Sequence, residues 1–111
     1  MYIDDCVKGI DMITHCDDLI ATPINLGSSE LISINDLVSL VEGIGGLRLE
    51  RSHDLGAPRG VAGRNSDNTF IRETLGWEPS IPLKDGLART FAWIDQQIKD
   101  RKAGRHTVRD I

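Results

Sequence analysis

GRNSDNTFIRETLGWEPSIPLKDGLARTFAWI, residues 63–94, carries the start and stop signals of two helices. Ser66 or Asp67 is placed to cap a short helix holding Phe70, Ile71 and Leu75. Gly76 supplies a left-handed stop, Trp77 is expected to fold back onto the helix end, and Pro79 prevents continuation. A second helix starts near Pro82 or Leu83 and runs to about Lys99, with Leu83, Leu87, Thr90 or Phe91, Ile94 and Ile98 along one face and Trp93 beside it. Beyond it, residues 101–111, RKAGRHTVRDI, show no apolar period and read as a flexible basic tail following a single domain over residues 1–100.

Working upstream, Ser33-Ile34-Asn35-Asp36 is a capping-box variant, with Ser33 as cap and Asp36 at the positive end of the helix it opens. Ile34, Leu37, Val38, Val41 and Ile44 then form one apolar stripe, expected to be core, before Gly45-Gly46 stop the helix. Residues 22–28, TPINLGS, read as a short strand ended by a glycine turn, and residues 47–52, LRLERS, as a half-exposed strand. Met1-Tyr2-Ile3 has the character of a strand end, and Asp4 or Asp5 can cap a helix through about Cys16 with Val7, Ile10 and Ile13 on one side. The expected class is α/β, with about four helices and two or three short strands. A domain that opens in mid-strand reads as a piece cut from a longer protein.

The 111 residues suffice for one domain, and 27% charged with 40% apolar residues is the composition of a globular chain rather than a disordered one. A net charge of −4 without a basic stripe argues against nucleic acid, whose phosphates demand clustered Lys and Arg. No apolar run approaches the roughly 20 residues of a membrane span, and no leader pattern opens the chain, so the expectation is cytoplasmic with no membrane partner. Cys6 and Cys16, ten residues apart, would point to different faces of one helix and read as free thiols.

Gly43-Ile44-Gly45-Gly46 ends a helix instead of following a strand, so it is no dinucleotide fingerprint. Residues 25–29, NLGSS, are a turn before a capped helix, a suitable place for an anion but without the lysine of a phosphate loop. His15, His53 and His106 have no metal-ligand spacing, and no metal is expected.

The segment from Leu55 to Ser66 differs from the rest of the chain. It holds Arg59 and Arg64 and no acidic residue, a local positive site in an acidic protein. Gly56, Gly60 and Gly63 permit close backbone approach, guanidinium groups grip phosphate oxygens in a fork, and Asn65 and Ser66 add short neutral groups suited to sugar hydroxyls. Arg64, Arg59, Asn65 and Ser66 are therefore the candidate binding residues. An interaction or oligomerisation domain without a small ligand, its arginines incidental, is the alternative.

The strings Y-I-D-D-x-V-x-G at the start, G-R-N-S-D-N, L-G-W-x-P and G-L-x-x-T-x-x-W-I resemble the C-terminal part of nucleotide-sugar epimerases and dehydratases of the extended short-chain dehydrogenase/reductase superfamily. The likeness covers roughly Tyr2 to Gln97, and G-R-N-S-D-N points to the 3,5-epimerase branch. Ala62 departs from it where that branch often has a second arginine. The resemblance implies a small substrate-binding domain whose Rossmann domain, with its NAD, is absent here. It implies a GDP- or UDP-linked sugar as ligand, with Arg64 as the substrate-binding arginine of the motif, and a possible homodimer through surfaces left uncovered. The Tyr-x-x-x-Lys pair of the family does not occur, since Tyr2 is the single tyrosine. No catalytic or cofactor-binding residue is assigned, and this part alone is expected to be inactive.

Overall fold

The computed structural model describes residues 1–105. Four helices appear in order: α1 (Ile3–Thr14), α2 (Ile34–Gly45), α3 (Thr69–Leu75) and α4 (Leu83–Lys102), with a single 3-10 turn at Asp17–Leu19 after α1.

The start and stop signals act largely as read. Ser33 Oγ accepts the Asp36 N–H at 3.1 Å and donates to the Asp36 carboxylate at 2.7 Å, so the box before α2 is closed from both sides. Gly46 (φ 65°) and Gly76 (φ 60°) take the left-handed conformation that ends α2 and α3. Two caps are displaced. Tyr2, not Asp4 or Asp5, precedes α1, and both carboxylates lie in its first turn. Asn68 precedes α3, while Asp67 Oδ1 reaches past it to take the N–H and hydroxyl of Thr69 at 3.0 and 2.7 Å. Helix α4 continues to Lys102, and Arg105 folds back onto Asp100; the rest of residues 101–111, including His106, lies outside the described residues.

Neither expected strand forms among the described residues. The reason is pairing, because a strand is stable only with a neighbour to complete its ladder. The 22–28 segment meets the 65–68 segment through one backbone hydrogen bond, Ser66 N–H to Ser28 O at 2.9 Å, and otherwise through side-chain amides. The 47–52 segment is drawn along α2 instead. Leu49 N–H donates to Glu42 Oε1 at 3.2 Å, and Arg51 spans Glu42, Ser39 Oγ and the Asn35 carbonyl.

Helices α2 and α4 are the main packed pair. A Cβ on Gly45 would stand 2.9 Å from the Phe91 ring, so only glycine allows this approach. Leu37, Val38, Val41, Leu47, Leu49 and Phe91 line an apolar groove of about 390 Å³ between them. The α2 stripe is therefore half-buried rather than core, and Ile34 is 73% exposed.

The N-terminal motif Tyr2-Ile3-Asp4-Asp5 closes the other end of the molecule. The Tyr2 ring lies against buried Gly86, and the Arg89 guanidinium sits 5.4 Å from the ring centroid and 3.6 Å from Asp4. Asp5, only 5% exposed, accepts backbone N–H groups from the α3–α4 connection. Trp77, just past the end of α3, reaches α1, against Gly9 and beneath the Lys8 ammonium.

Leu19 and Ile71 are the buried large apolar residues among those described, and only Ile71 is fully so, against sixteen large apolar side chains that are exposed. Met1, Ile3, Val7 and Ile10 lie on or beside α1, and Trp93, Ile94 and Ile98 lie on α4.

Candidate functional site

The turn at 25–30 and the stretch 64–66 face each other across an open cleft of about 630 Å³, with Met1 at its edge. The two segments are held by a short set of tethers. Ser66 N–H donates to Ser28 O, Asn65 Nδ2 to Ser29 O at 3.0 Å, and Asn68 Nδ2 to Gly27 O at 3.0 Å. A Cβ on Gly27 would lie 2.9 Å from Ser66 Cβ, closer than side chains tolerate, so this glycine sets the spacing of the walls.

The motif G-R-N-S-D-N thus divides its labour. Asn65, Ser66 and Asn68 tie the loop to the opposite wall, and Asp67 serves α3. The N–H and hydroxyl of Thr69 hold the Asp67 carboxyl below the usual carboxylate range, with Arg72 adding to the effect. Arg64 is left to the cleft: it is exposed and makes no ion pair among the described residues. Ser66 lines the cleft while its buried Oγ has no hydrogen-bond partner among the described residues. Arg59 is on the exposed 54–62 loop and does not line the cleft. The structure therefore brings together Arg64, Asn65 and Ser66 and leaves Arg59 outside.

Sequence reasoning missed Glu30. It lies in the cleft lining with Arg64, so the cleft is of mixed charge rather than purely positive. Its carboxylate accepts the Leu83 N–H at 2.8 Å, at the start of α4. The available signal was Pro82, which as a cap offers no side-chain acceptor and leaves the positive helix end to an anion from elsewhere. The turn at 25–29, which the sequence marks as a suitable place for an anion, contributes Asn25, Leu26, Gly27 and Ser28 to one wall of the cleft.

Elsewhere the titratable groups are engaged locally. His15 contacts Asp11, and His53 lies 3.2 Å from Asn35 Oδ1. The Arg51 guanidinium, with the Leu49 N–H, lowers the pKa of Glu42. Cys6 and Cys16 are both free and partly buried. Among the described residues no group of three His, Cys, Asp or Glu side chains could hold a metal ion, and no helix is long and apolar enough to cross a membrane.

No protein-family model matches the chain. It is 43% identical over 101 residues, 91% of its length, to GDP-mannose 3,5-epimerase 1 of Oryza sativa subsp. indica. It is 42% identical over 102 residues, 92% of its length, to GDP-mannose 3,5-epimerase of Arabidopsis thaliana. An uncharacterized UDP-glucose epimerase of Bacillus subtilis (strain 168) is 35% identical over 97 residues, 84% of this chain. The chain spans 26% of the length of the two plant enzymes and 29% of the bacterial one. The likeness is to the C-terminal part of epimerases of the short-chain dehydrogenase/reductase type.

Proposed function

We propose that this chain, a relative of the nucleotide-sugar epimerases over nearly all its length, is the substrate-holding part of such an enzyme. The observation that carries this reading is Arg64, a guanidinium free of ion pairs among the described residues and set in a cleft whose walls are tied together beside it. Arg64 grips the diphosphate of a GDP- or UDP-linked sugar in a bidentate fork, and Asn65 and Ser66 border the hydroxyl-rich portion. Arg59, on the neighbouring exposed loop, contributes long-range attraction for the anion.

The likeness implies NAD in the intact cytoplasmic enzyme, where it supplies transient oxidation of a sugar carbon. The residues of this chain do not fit that dinucleotide. Gly43-Ile44-Gly45-Gly46 terminates α2, and the glycine turn at 25–29 is not followed by a helix opening at its last glycine. The dinucleotide belongs to a Rossmann domain outside the chain, and no catalytic step falls on the residues described. The chain alone is inactive as an epimerase.

That domain is also what the uncovered faces of α1 and α4 fit. Their apolar residues favour a second reading as well, a domain whose main task is association with a protein partner or with its own copy. Titrating the chain with GDP and UDP while following backbone amide signals tests the first reading. Saturable shifts confined to residues 25–30 and 56–68 are expected, and shifts spread evenly over the surface would overturn it.

A further inference from the structure

Among the residues lining the cleft, Glu30 is the one acid and Arg64 the one base. The Glu30 carboxylate stands at a junction. Its Oε2 accepts the Leu83 N–H at 2.8 Å and the Ser28 hydroxyl at 3.5 Å, while the Glu30 N–H donates to Ser28 Oγ at 3.1 Å. Leu83 opens α4, and Pro82 before it offers no side-chain cap, so Glu30 meets the positive end of that helix from another part of the chain. The same contact fixes the carboxylate's position. Oε1 has no hydrogen-bond partner among the described residues.

A fixed carboxylate on the lining is poorly matched to a ligand that is anionic throughout, because it repels the phosphates that Arg64 attracts. It suits a ligand that places hydroxyl donors beside its anion. Hydrogen bonds from hydroxyls to a carboxylate are roughly twice as strong as those between neutral groups. Ser66, with its Oγ unpartnered among the described residues, lies in the same lining.

We infer that Glu30 is a specificity-determining residue that reads a vicinal diol of the ligand while Arg64 takes its phosphate. This rests on the cleft being the nucleotide diphosphate-sugar site and adds which portion of the ligand it selects. Ribose and hexose both carry such a diol, so the probes must separate them.

The 111-residue chain would be titrated by NMR with inorganic pyrophosphate, 2′-deoxy-GDP, GDP and GDP-mannose. Tighter binding of GDP than of 2′-deoxy-GDP assigns the ribose. Equal binding of those two, with tighter binding of GDP-mannose, assigns the hexose. Glu30→Gln should weaken the diol-bearing ligand about tenfold and leave pyrophosphate unchanged or tighter, because the repulsion is relieved. That opposite movement is the signature, since mere loss of the α4 cap would weaken every ligand alike. Should Glu30→Gln lose helical circular dichroism, Glu30→Asp keeps the charge but not the reach, and should lose diol preference at constant pyrophosphate affinity. Equal loss for all ligands in whichever variant stays folded overturns the role of Glu30 while leaving Arg64 as the anion site. Failure of the wild-type chain to bind any of the four overturns both.

Discussion

Asp5 Oδ2 lies 2.7 Å from the backbone nitrogen of Ile81, and the same oxygen takes the Ser80 N–H at 2.9 Å. A carboxylate in the first turn of α1 therefore satisfies two donors of the α3–α4 connection from inside a nearly solvent-free position. Asp5→Asn keeps one acceptor but loses the charge that strengthens both contacts. The expected loss is about 1.5–3 kcal/mol, a fall in Tm on the order of 10 °C. Thermal melting followed by circular dichroism measures it, and an unchanged Tm would show that the contact is incidental.

Arg64→Ala should weaken GDP or UDP binding by about tenfold or more, the loss of one charge-assisted contact. Arg64→Lys should weaken it too, because an ammonium cannot reproduce the fork. Arg59, outside the cleft, should matter less: Arg59→Ala is expected to change affinity by roughly two- to threefold, with most of that change disappearing at high salt. A larger effect at Arg59 than at Arg64 would move the site out onto the 54–62 loop.

Glu42, Asp67 and Asp100 all have their pKa lowered in the folded chain, chiefly by the Arg51 side chain, the Thr69 N–H and the Arg105 side chain respectively. A depressed carboxylate pKa contributes stability that is present above the unfolded value and lost as pH falls through the folded one. Stability should thus be flat near neutrality and decline below about pH 4.5. Glu42→Gln should lower Tm at pH 7 and make the acid decline shallower. An acid limb identical to the wild type would show that the Arg51 contact adds nothing to stability.

With Met1, Ile3, Val7 and Ile10 exposed about α1, and Trp93, Ile94 and Ile98 exposed on α4, the isolated chain should self-associate as its concentration rises. Sedimentation velocity should show dimers or larger species at high concentration, and Val7→Glu or Trp93→Glu should reduce them without loss of helix. A monomer at every concentration would mean these faces are too divided to drive contact.

Helix positions were legible in the sequence because their signals are local: Ser33 with Asp36, Gly46 and Gly76 each act within a turn of the chain. What was illegible depends on distance. The fates of residues 22–28 and 47–52 were settled by partners at 65–68 and on α2, which no alternation of apolar residues reveals. Arg64, Asn65 and Ser66 were singled out from motif and charge, and they line one cleft. Glu30 was missed because its meaning lies in Leu83, 53 residues later. The α2 stripe was read as core since periodicity reports which residues share a face, not whether anything covers it.

The clasp between residues 2–5 and residues 80–89 bears on how the chain is made. Within this stretch of chain α1 emerges before the groups that lock it, because the Ser80 and Ile81 amides and the Gly86 and Arg89 region follow some 75 or more residues later. Until those residues emerge, the Asp5 carboxylate lacks the two amides that hold it. Closing so long a span carries an entropic cost that local helix contacts do not offset until α4 is in place. The cleft walls, joined between 27–29 and 65–68, are therefore available for tethering before the ends of the domain are fastened. Within this stretch of chain, the order of assembly runs from the cleft outward.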